Sequence, residues 1–332
     1  MTINHFFDAL VVNKKDEDFS MDIKKLNFDD LPEGEVFIRV HYSSVNYKDS
    51  LASIPNGKII HTYPQVPGID LAGEVVSSTD DRYKEGDPVI ATSYEIGVSH
   101  FGGYSQYARI PSKWIVPLPK GLSLKESMII GTAGITAALS VQSLVENDIT
   151  PEVGKILVTG ATGGVGSFAI AILSKLGYEV VASTGKEEKH DFLKRLGADS
   201  IVSREEVYDG SVKALGKQKW TAAVDPVGGE GLASILSQIQ YGGSVAVSGL
   251  AGGNNVPTTV FPFIIRGINL LGIDSVYCPM ETRQKIWKLL ATEYKPVDMN
   301  VLMQQEITIE QLPSVLPTLL KGGAVGRTIV KL

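Results

Sequence analysis

The stretch Lys155-Ile156-Leu157-Val158-Thr159-Gly160-Ala161-Thr162-Gly163-Gly164-Val165-Gly166 constrains this chain more than any other. A short apolar run stops at a glycine cluster. An apolar-periodic segment, Ser167 to Leu176, follows at once and ends at Gly177, a residue type that commonly closes a helix. Strand, tight glycine turn and helix together aim backbone N–H groups and a helix dipole at a bound phosphate. Gly163 and Gly166 match the second and third glycines of the dinucleotide fingerprint, which allow backbone approach to a pyrophosphate and close helix–strand packing. Ala161 stands at the first fingerprint position, just after Gly160. No Gly-Lys-Ser/Thr follows, which argues against a nucleoside-triphosphate loop. An ordinary glycine turn stays open as the alternative until the following strands are read.

Those strands alternate with helices. Expected strands fall near 155–159, Tyr178–Ala182, Ser200–Val202, Thr221–Val224, Ser244–Val247 and Asn269–Ile273, with helices after Gly166, at Lys186–Leu196 and at Glu230–Ile239. Alternation at this spacing predicts βαβ units and a parallel sheet covered on both faces, and six strands complete a dinucleotide-binding (Rossmann) sheet. NAD-binding folds place an acid at the end of the second strand for the ribose hydroxyls. Here that strand runs into Ser183-Thr184-Gly185-Lys186. Hydroxyls and a lysine suit a dianionic 2′-phosphate, so the turn favours NADP over NAD. Capping of the next helix by Ser183 or Thr184 is compatible with this. Glu187 or Glu188 would reach the ribose only if the turn were shifted.

The first 125 residues have a different character. Short strands, such as Phe6–Val12, Val36–Tyr42, 69–76, 103–110 and 114–118, are separated by turn signals without long helices. That pattern implies antiparallel pairing in a partly closed barrel or rolled sheet. Helix is expected from Leu124 to Ala138 and on toward Glu146, then at Glu281–Thr292, before a last strand at Arg327–Lys331. With 332 residues the chain has room for two cores. A net charge of −6 gives no electrostatic footprint for nucleic acid. The first eight residues do not form a secretory signal, and no run of about 18 apolar residues predicts a membrane span. A single cysteine, Cys278, suits a reducing cytoplasm.

Catalytic zinc needs three protein ligands, and one cysteine with five scattered histidines (His5, His41, His61, His100, His190) offers no ligand spacing. No Gly-x-Ser-x-Gly elbow is present. Hydride transfer from a nicotinamide requires neither a metal nor a nucleophile. It requires positioning, and dipoles aimed at the oxygen that gains charge. The polar cluster best placed to act is Ser43-Ser44-Val45-Asn46-Tyr47-Lys48-Asp49, after a strong strand. Asn46 could donate to a carbonyl, Tyr47 could donate or stack, and Lys48 could meet an anion. Equally, these residues could form a polar turn with Asp49 capping a helix. The glycine-rich stretches 225–229 and 248–253 fall at carboxyl ends of expected strands, where open α/β sheets bind ligands.

In chain order, Asn46-Tyr47-Lys48-Asp49, Pro67-Gly68-Ile69-Asp70-Leu71-Ala72-Gly73, Gly86-Asp87-Pro88-Val89, Gly131-Thr132-Ala133-Gly134-Ile135-Thr136-Ala137 and Gly160 to Gly166 resemble the zinc-independent, quinone oxidoreductase branch of the medium-chain dehydrogenase/reductase superfamily. Gly57-Lys58-Ile59-Ile60, Leu250-Ala251-Gly252-Gly253, Gly272-Ile273-Asp274-Ser275-Val276 and Gly326-Arg327-Thr328 are most similar to bacterial NADPH-dependent acryloyl-CoA reductases. The resemblance spans essentially the whole chain. It implies a GroES-like substrate domain from 1–125 and 290–332, a Rossmann domain from 126–289, and NADPH in an interdomain cleft. It places Gly163, Val165, Gly166, Ser167 and Phe168 at the pyrophosphate, and Ser183, Thr184 and Lys186 at the 2′-phosphate. Lys186 stands where relatives carry an arginine, so a point charge replaces a bidentate group. Arg204 is implied on the adenine side, with Thr136, Leu250, Ile265 and Ser275 lining the nicotinamide half. Tyr47, beside Asn46, is implied at the nicotinamide end, and these two are the implied catalytic pair. Homodimers joined near Asn269–Ile273 are implied as well, acting on a small electrophile such as a quinone or an acryloyl thioester.

Overall fold

The computed structural model describes residues 6–16 and 18–332. His5 and most of the N-terminal segment inspected for a signal lie outside the described residues. The chain forms two compact units. The first holds the described residues up to Thr132, Val276–Ala291 and Met303–Leu332; the second holds Ala133–Ser275 and Thr292–Leu302.

In the first unit, β1 (Phe6–Lys15) and β2 (Asp18–Asn27) form an antiparallel hairpin. The main sheet is built on β3 (Val36–Ser44), which leads into the short helix α1 (Tyr47–Ala52), and on β4 (Asp70–Ser78), β5 (Pro88–Thr92), β6 (Tyr107–Ile110) and β7 (Ile115–Pro117). One edge of β3 is shared. Val36–Arg39 pair with β6, while residues 42–44 pair with a strand from the far end of the chain. Val36, Ile38 and Val40 alternate inward onto Leu71, Val75 and Val89, the period-2 burial of a half-covered sheet.

Helix α2 (Leu124–Glu146) leaves the first unit and enters the second, interrupted at Gly131, whose φ of 49° and ψ of −160° are not helical. Its length and composition would suffice to cross a membrane, yet 78% of its apolar window is buried inside the protein.

The second unit follows the expected alternation. Its strands are β8 (Lys155–Val158), β9 (Glu179–Ser183), β10 (Ser200–Val202), β11 (Trp220–Asp225), β12 (Ile239–Val247) and β13 (Asn269–Gly272). Between them run α3 (Gly164–Lys175), α4 (His190–Arg195), α5 (Arg204–Val207), α6 (Gly229–Gln238) and α7 (Phe261–Arg266). All pairs are parallel in the order β10-β9-β8-β11-β12-β13. Chain direction therefore reverses its walk across the sheet between β8 and β11, the switch point where such sheets bind ligands. Phe168 and Ile170 of α3 are fully buried, and burial of such side chains contributes about 2 kcal/mol each.

Helix α8 (Met280–Ala291) belongs to the first unit, where the sequence boundary at 289 assigned it to the Rossmann domain. The reason is Arg283. It is fully buried, donates to the Thr92 carbonyl and hydroxyl and to the Val276 carbonyl, and lies 4.4 Å over the Tyr94 ring. The boundary also moves from 125 to Thr132, and the short helix α9 (Met299–Leu302) falls in the second unit. The chain then returns to the first unit through β14 (Met303–Thr308), α10 (Leu312–Leu320) and β15 (Arg327–Lys331), with β15 antiparallel to β3.

Gly131 gives the sharpest test of this packing. A Cβ there would lie 2.6 Å from Asp70 Oδ2, 2.7 Å from Ser44 Oγ and 2.8 Å from Arg327 Nη2. Gly131→Ala is expected to cost at least about 3 kcal/mol, from left-handed backbone strain plus disruption of buried charges. A denaturant midpoint equal to that of the unaltered protein would show that the contact yields cheaply.

Candidate active site

The features expected to hold a phosphate lie at the carboxyl end of β8. Gly160 takes the left-handed turn, at φ 53°, directly before the fully buried Ala161. The positive φ that a fingerprint glycine would supply therefore comes one residue earlier. Gly166 is needed for contact: a Cβ there would lie 2.4 Å from the Gly160 carbonyl oxygen. Helix α3 begins earlier than expected, with Gly163 as its N-cap. The free first-turn N–H groups of such a helix belong to Gly164, Val165 and Gly166. Ser167 and Phe168 do not join them. The Ser167 N–H already donates to the Gly163 carbonyl at 2.9 Å and its hydroxyl to the Gly164 carbonyl, while the Phe168 ring is sealed in the core. A glycine-rich cradle and a helix dipole fit a pyrophosphate.

Beside it, β9 ends at Ser183 and Thr184 follows, both buried. The Lys186 N–H donates to Thr184 Oγ1 at 3.1 Å, closing the turn. Arg204 starts α5 and lies over Gly185, where a Cβ would come 3.2 Å from Nε. Burial holds the Lys186 ammonium below its ordinary value, Glu188 opposes that, and the Arg204 charge reinforces it. Two cations are thus held close enough to repel one another, next to two hydroxyls. Such a set has the chemistry of a 2′-phosphate site. Glu187 begins a 3-10 turn with Glu188, and the second strand's end carries no carboxylate.

Toward β12 and β13 the structure brings Thr136 and Ser275 together, hydroxyl to hydroxyl at 2.8 Å. Leu250 and Ile265 are well exposed in the second unit, at 67% and 53%. A cavity of about 430 Å³ lies at the amino ends of β8, β11, β12 and β13, lined among others by Glu146, Asp148, Thr221 and Gly243. None of the expected cofactor residues lines it.

In the first unit the Asn46–Asp49 cluster proves to be both a turn and the entrance to a buried polar network. Asn46 caps α1, and its N–H donates to Asp49 Oδ2 at 2.9 Å. Its amide nitrogen donates to Asp70 Oδ2 at 2.8 Å, and to Ser44 Oγ and Asp49 Oδ2 at 3.2 Å. Two hydrogens serving three internal acceptors leave none for a substrate carbonyl. This corrects the expectation that Asn46 donates to substrate; its geometry is that of a positioning residue. Tyr47 is the first helical residue and is 47% exposed. Asp70 also accepts from the Ser44 hydroxyl and from the Thr132 N–H and hydroxyl. Arg327 donates to the carbonyls of Ile129 and Val45 and to Ser44 Oγ. Burial lowers Arg327 from its ordinary value, while Asp70 and Asp49 push it back up.

Among the described residues no group of three or more His, Cys, Asp or Glu stands close enough to hold a metal ion. His100 is buried, with Nε2 2.7 Å from the Arg109 carbonyl oxygen, and burial lowers its pKa. His41 lies 3.4 Å from Glu74.

Residues 164–292 match the family described as zinc-binding dehydrogenase, and residues 32–120 match the alcohol dehydrogenase GroES-like domain. YhfP of Bacillus subtilis, a protein provisionally named a quinone oxidoreductase, is 56% identical over 326 residues, 98% of this chain and 99% of the other. The chain belongs to the medium-chain dehydrogenase/reductase superfamily. Acrylyl-CoA reductase AcuI of Ruegeria pomeroyi is 48% identical over 326 residues, 98% of each chain. The crystal structure of Bacillus subtilis yhfP with NAD bound matches with a TM-score of 0.97 over 99% of this chain and 100% of that one. That of the yhdH oxidoreductase from Salmonella enterica in complex with NADP, at 44% identity, gives 0.95 over 98% and 99%. Our medium-chain protein is an oxidoreductase of the YhfP and AcuI type.

The sequence reading of this oxidoreductase passes over Asp70, Thr132 and Arg327 as site residues, although each stands in a motif that carries the resemblance. Only the fold shows that they converge. Asp49 is the network's titrating member. Burial, then the neighbouring Asp70 charge, raises it to about 7, against donation from Ile69 and Asn46. Tyr104, whose hydroxyl donates to the Ser44 carbonyl, is raised well above its usual value by the same burial and by Asp49. The folded protein thus keeps a proton on Asp49 after the unfolded chain, at about 4, has lost it. Stability from this group is fully present below about pH 4 and is lost as pH rises toward about 7. Between pH 5 and 8 the unaltered protein should lose a few kcal/mol more than Asp49→Asn, whose side chain does not titrate. Parallel stability–pH curves for the two would refute this.

Proposed function

We propose that this protein is an NADPH-dependent reductase of α,β-unsaturated carbonyl compounds, an acryloyl thioester or a quinone being the substrate class. The observation that carries the choice of NADPH is the set Ser183, Thr184, Lys186 and Arg204, with two mutually repelling cations and no carboxylate at the end of β9. Among relatives, AcuI of Ruegeria pomeroyi is named an acrylyl-CoA reductase and the yhdH structure carries NADP, whereas the yhfP structure carries NAD. Val165 and Gly166 N–H groups would hold the pyrophosphate, and Thr136, Leu250, Ile265 and Ser275 the nicotinamide half. When bound, reduced nicotinamide supplies a hydride to an electron-poor carbon conjugated to a carbonyl.

The chain's own part is orientation, and a proton donor for the oxygen or carbon that gains the electron pair. Tyr47 is the candidate, as an exposed phenol fixed at the first turn of α1. Asn46 acts through it, by tying that turn to Asp70 and Asp49. No step in this scheme calls on a metal. Homodimerisation through the edge of β13 is also proposed, supported by Leu270, which is 40% exposed there. A cytoplasmic location is proposed on the single, buried Cys278.

Two variants test this. Lys186→Ala with Arg204→Ala should raise KM for NADPH by about two orders of magnitude, with KM for NADH nearly unchanged. Equal effects on both cofactors would count against the 2′-phosphate assignment. Tyr47→Phe should lower kcat on acryloyl-CoA or a simple quinone by about 10²-fold. If NADPH raises the melting temperature but neither electrophile is reduced, the protein binds the cofactor without catalysis.

A further inference from the structure

The segment Asp225–Gly229 is wedged between two loops of the second unit. On one side it meets the phosphate turn: a Cβ at Gly160 would lie 3.2 Å from Val227 and 3.3 Å from Pro226. On the other it meets the Leu250 loop more tightly still. A Cβ at Gly249 would lie 2.0 Å from the Pro226 carbonyl oxygen, one at Gly228 2.7 Å from the Gly249 oxygen, and one at Gly229 2.3 Å from the Gly252 oxygen. The Gly252 N–H donates to the Val227 carbonyl at 2.8 Å. Glycines are what let three backbone segments approach so closely.

The carboxylate of Asp225, 1% exposed, ties the phosphate turn to the Gly228 end of its own segment, the end that packs on the Leu250 loop. The Thr159 hydroxyl donates to Oδ1, and the Gly228 N–H donates to Oδ2 at 2.8 Å. Thr159 is the residue immediately before Gly160, and its N–H donates to the Val224 carbonyl. The Asp225 carbonyl oxygen accepts from the Ser248 N–H at 3.0 Å, at the root of the Leu250 loop. One residue therefore ties the turn expected to hold the pyrophosphate to the loop expected to meet the nicotinamide.

We propose that Asp225 is a positioning residue that fixes the spacing between the phosphate turn and the Leu250 loop, so that one dinucleotide engages both together. This rests on the assignment of cofactor binding to the second unit. A linked ligand profits from its second contact only when the two subsites stand at the right distance, whereas a fragment that reaches one subsite is indifferent to that distance. An ionised carboxylate can accept from both donors at once. An asparagine offers one acceptor oxygen and turns an NH2 group toward the other donor.

The test is calorimetric titration of the full chain with NADPH and with 2′,5′-ADP, which reaches only the adenosine side. Asp225→Asn should weaken NADPH about tenfold or more and 2′,5′-ADP less than about twofold. Thr159→Val removes one of the two donors without changing charge, and should give the same split at smaller size. It keeps the test open should the Asp225 variant fail to fold. Equal weakening of both ligands would reduce Asp225 to a fold-stabilising role, and unchanged NADPH affinity in both variants would overturn the proposal outright. The unaltered protein's own preference, measured first, reports on the cofactor reading separately. If it prefers NADH, the split is read with NADH and AMP.

Discussion

Arg327 is the interaction on which the first unit depends. It arrives on the last strand, more than 280 residues after the β3–α1 junction, and is buried there. Its guanidinium gathers the Ile129 carbonyl at the foot of α2, the Val45 carbonyl before α1, and Ser44 Oγ on β3. Asp70 and Asp49 stand behind these contacts as two buried acidic groups near one cation. Taking such charges out of water costs several kcal/mol per ion, and their mutual attraction seldom returns a surplus. What the arrangement provides is a unique register: residues from four distant segments are satisfied only in one geometry. Gly131 lacks a side chain because that geometry leaves no room for one.

This explains which parts of the molecule are legible from the chain. The second unit is made of local βαβ repeats, each with its own apolar run, glycine stop and periodic helix. All six strands of its sheet are found where expected, five of them within a residue or so at each end and β12 beginning five residues early, at Ile239. Helix α3 begins earlier than its apolar period suggests, because Gly164 and Gly166 carry no hydrophobic signal while adopting helical backbone. The first unit is held by contacts remote in sequence. The polar strand β2, with Met21, Ile23 and Leu26 only partly buried, gives little pattern to read. Helix α8 falls on the wrong side of the expected boundary because nothing local shows that Arg283 is buried beside Thr92.

The site divides along the same line. Residues whose role depends on backbone, such as Gly160, Gly163 and Gly166, are recognisable because glycine in a turn states its purpose locally. Asn46 is recognisable as polar and well placed, but its inward engagement is invisible until Asp70 is seen 2.8 Å from its amide. A polar residue read as a donor to substrate is always in competition with the fold's own unsatisfied acceptors, and here the fold wins.

The two units also reach order by different means. In the first unit a charged network over-determines one turn, so that Tyr47 is presented from a rigid base while staying exposed. In the second unit most of the order comes from removing side chains: glycines at 160, 166, 228, 229 and 249 let main chain pack on main chain. Asp225 adds a charge to that arrangement. Burial pushes its carboxyl up from the ordinary value, while Thr159 and the Gly228 N–H pull it back. A carboxylate kept in so dry a place is costly unless its donors are fully engaged. Its place where three glycine-rich segments meet therefore gives a charged fastening to main-chain segments packed too closely for larger side chains.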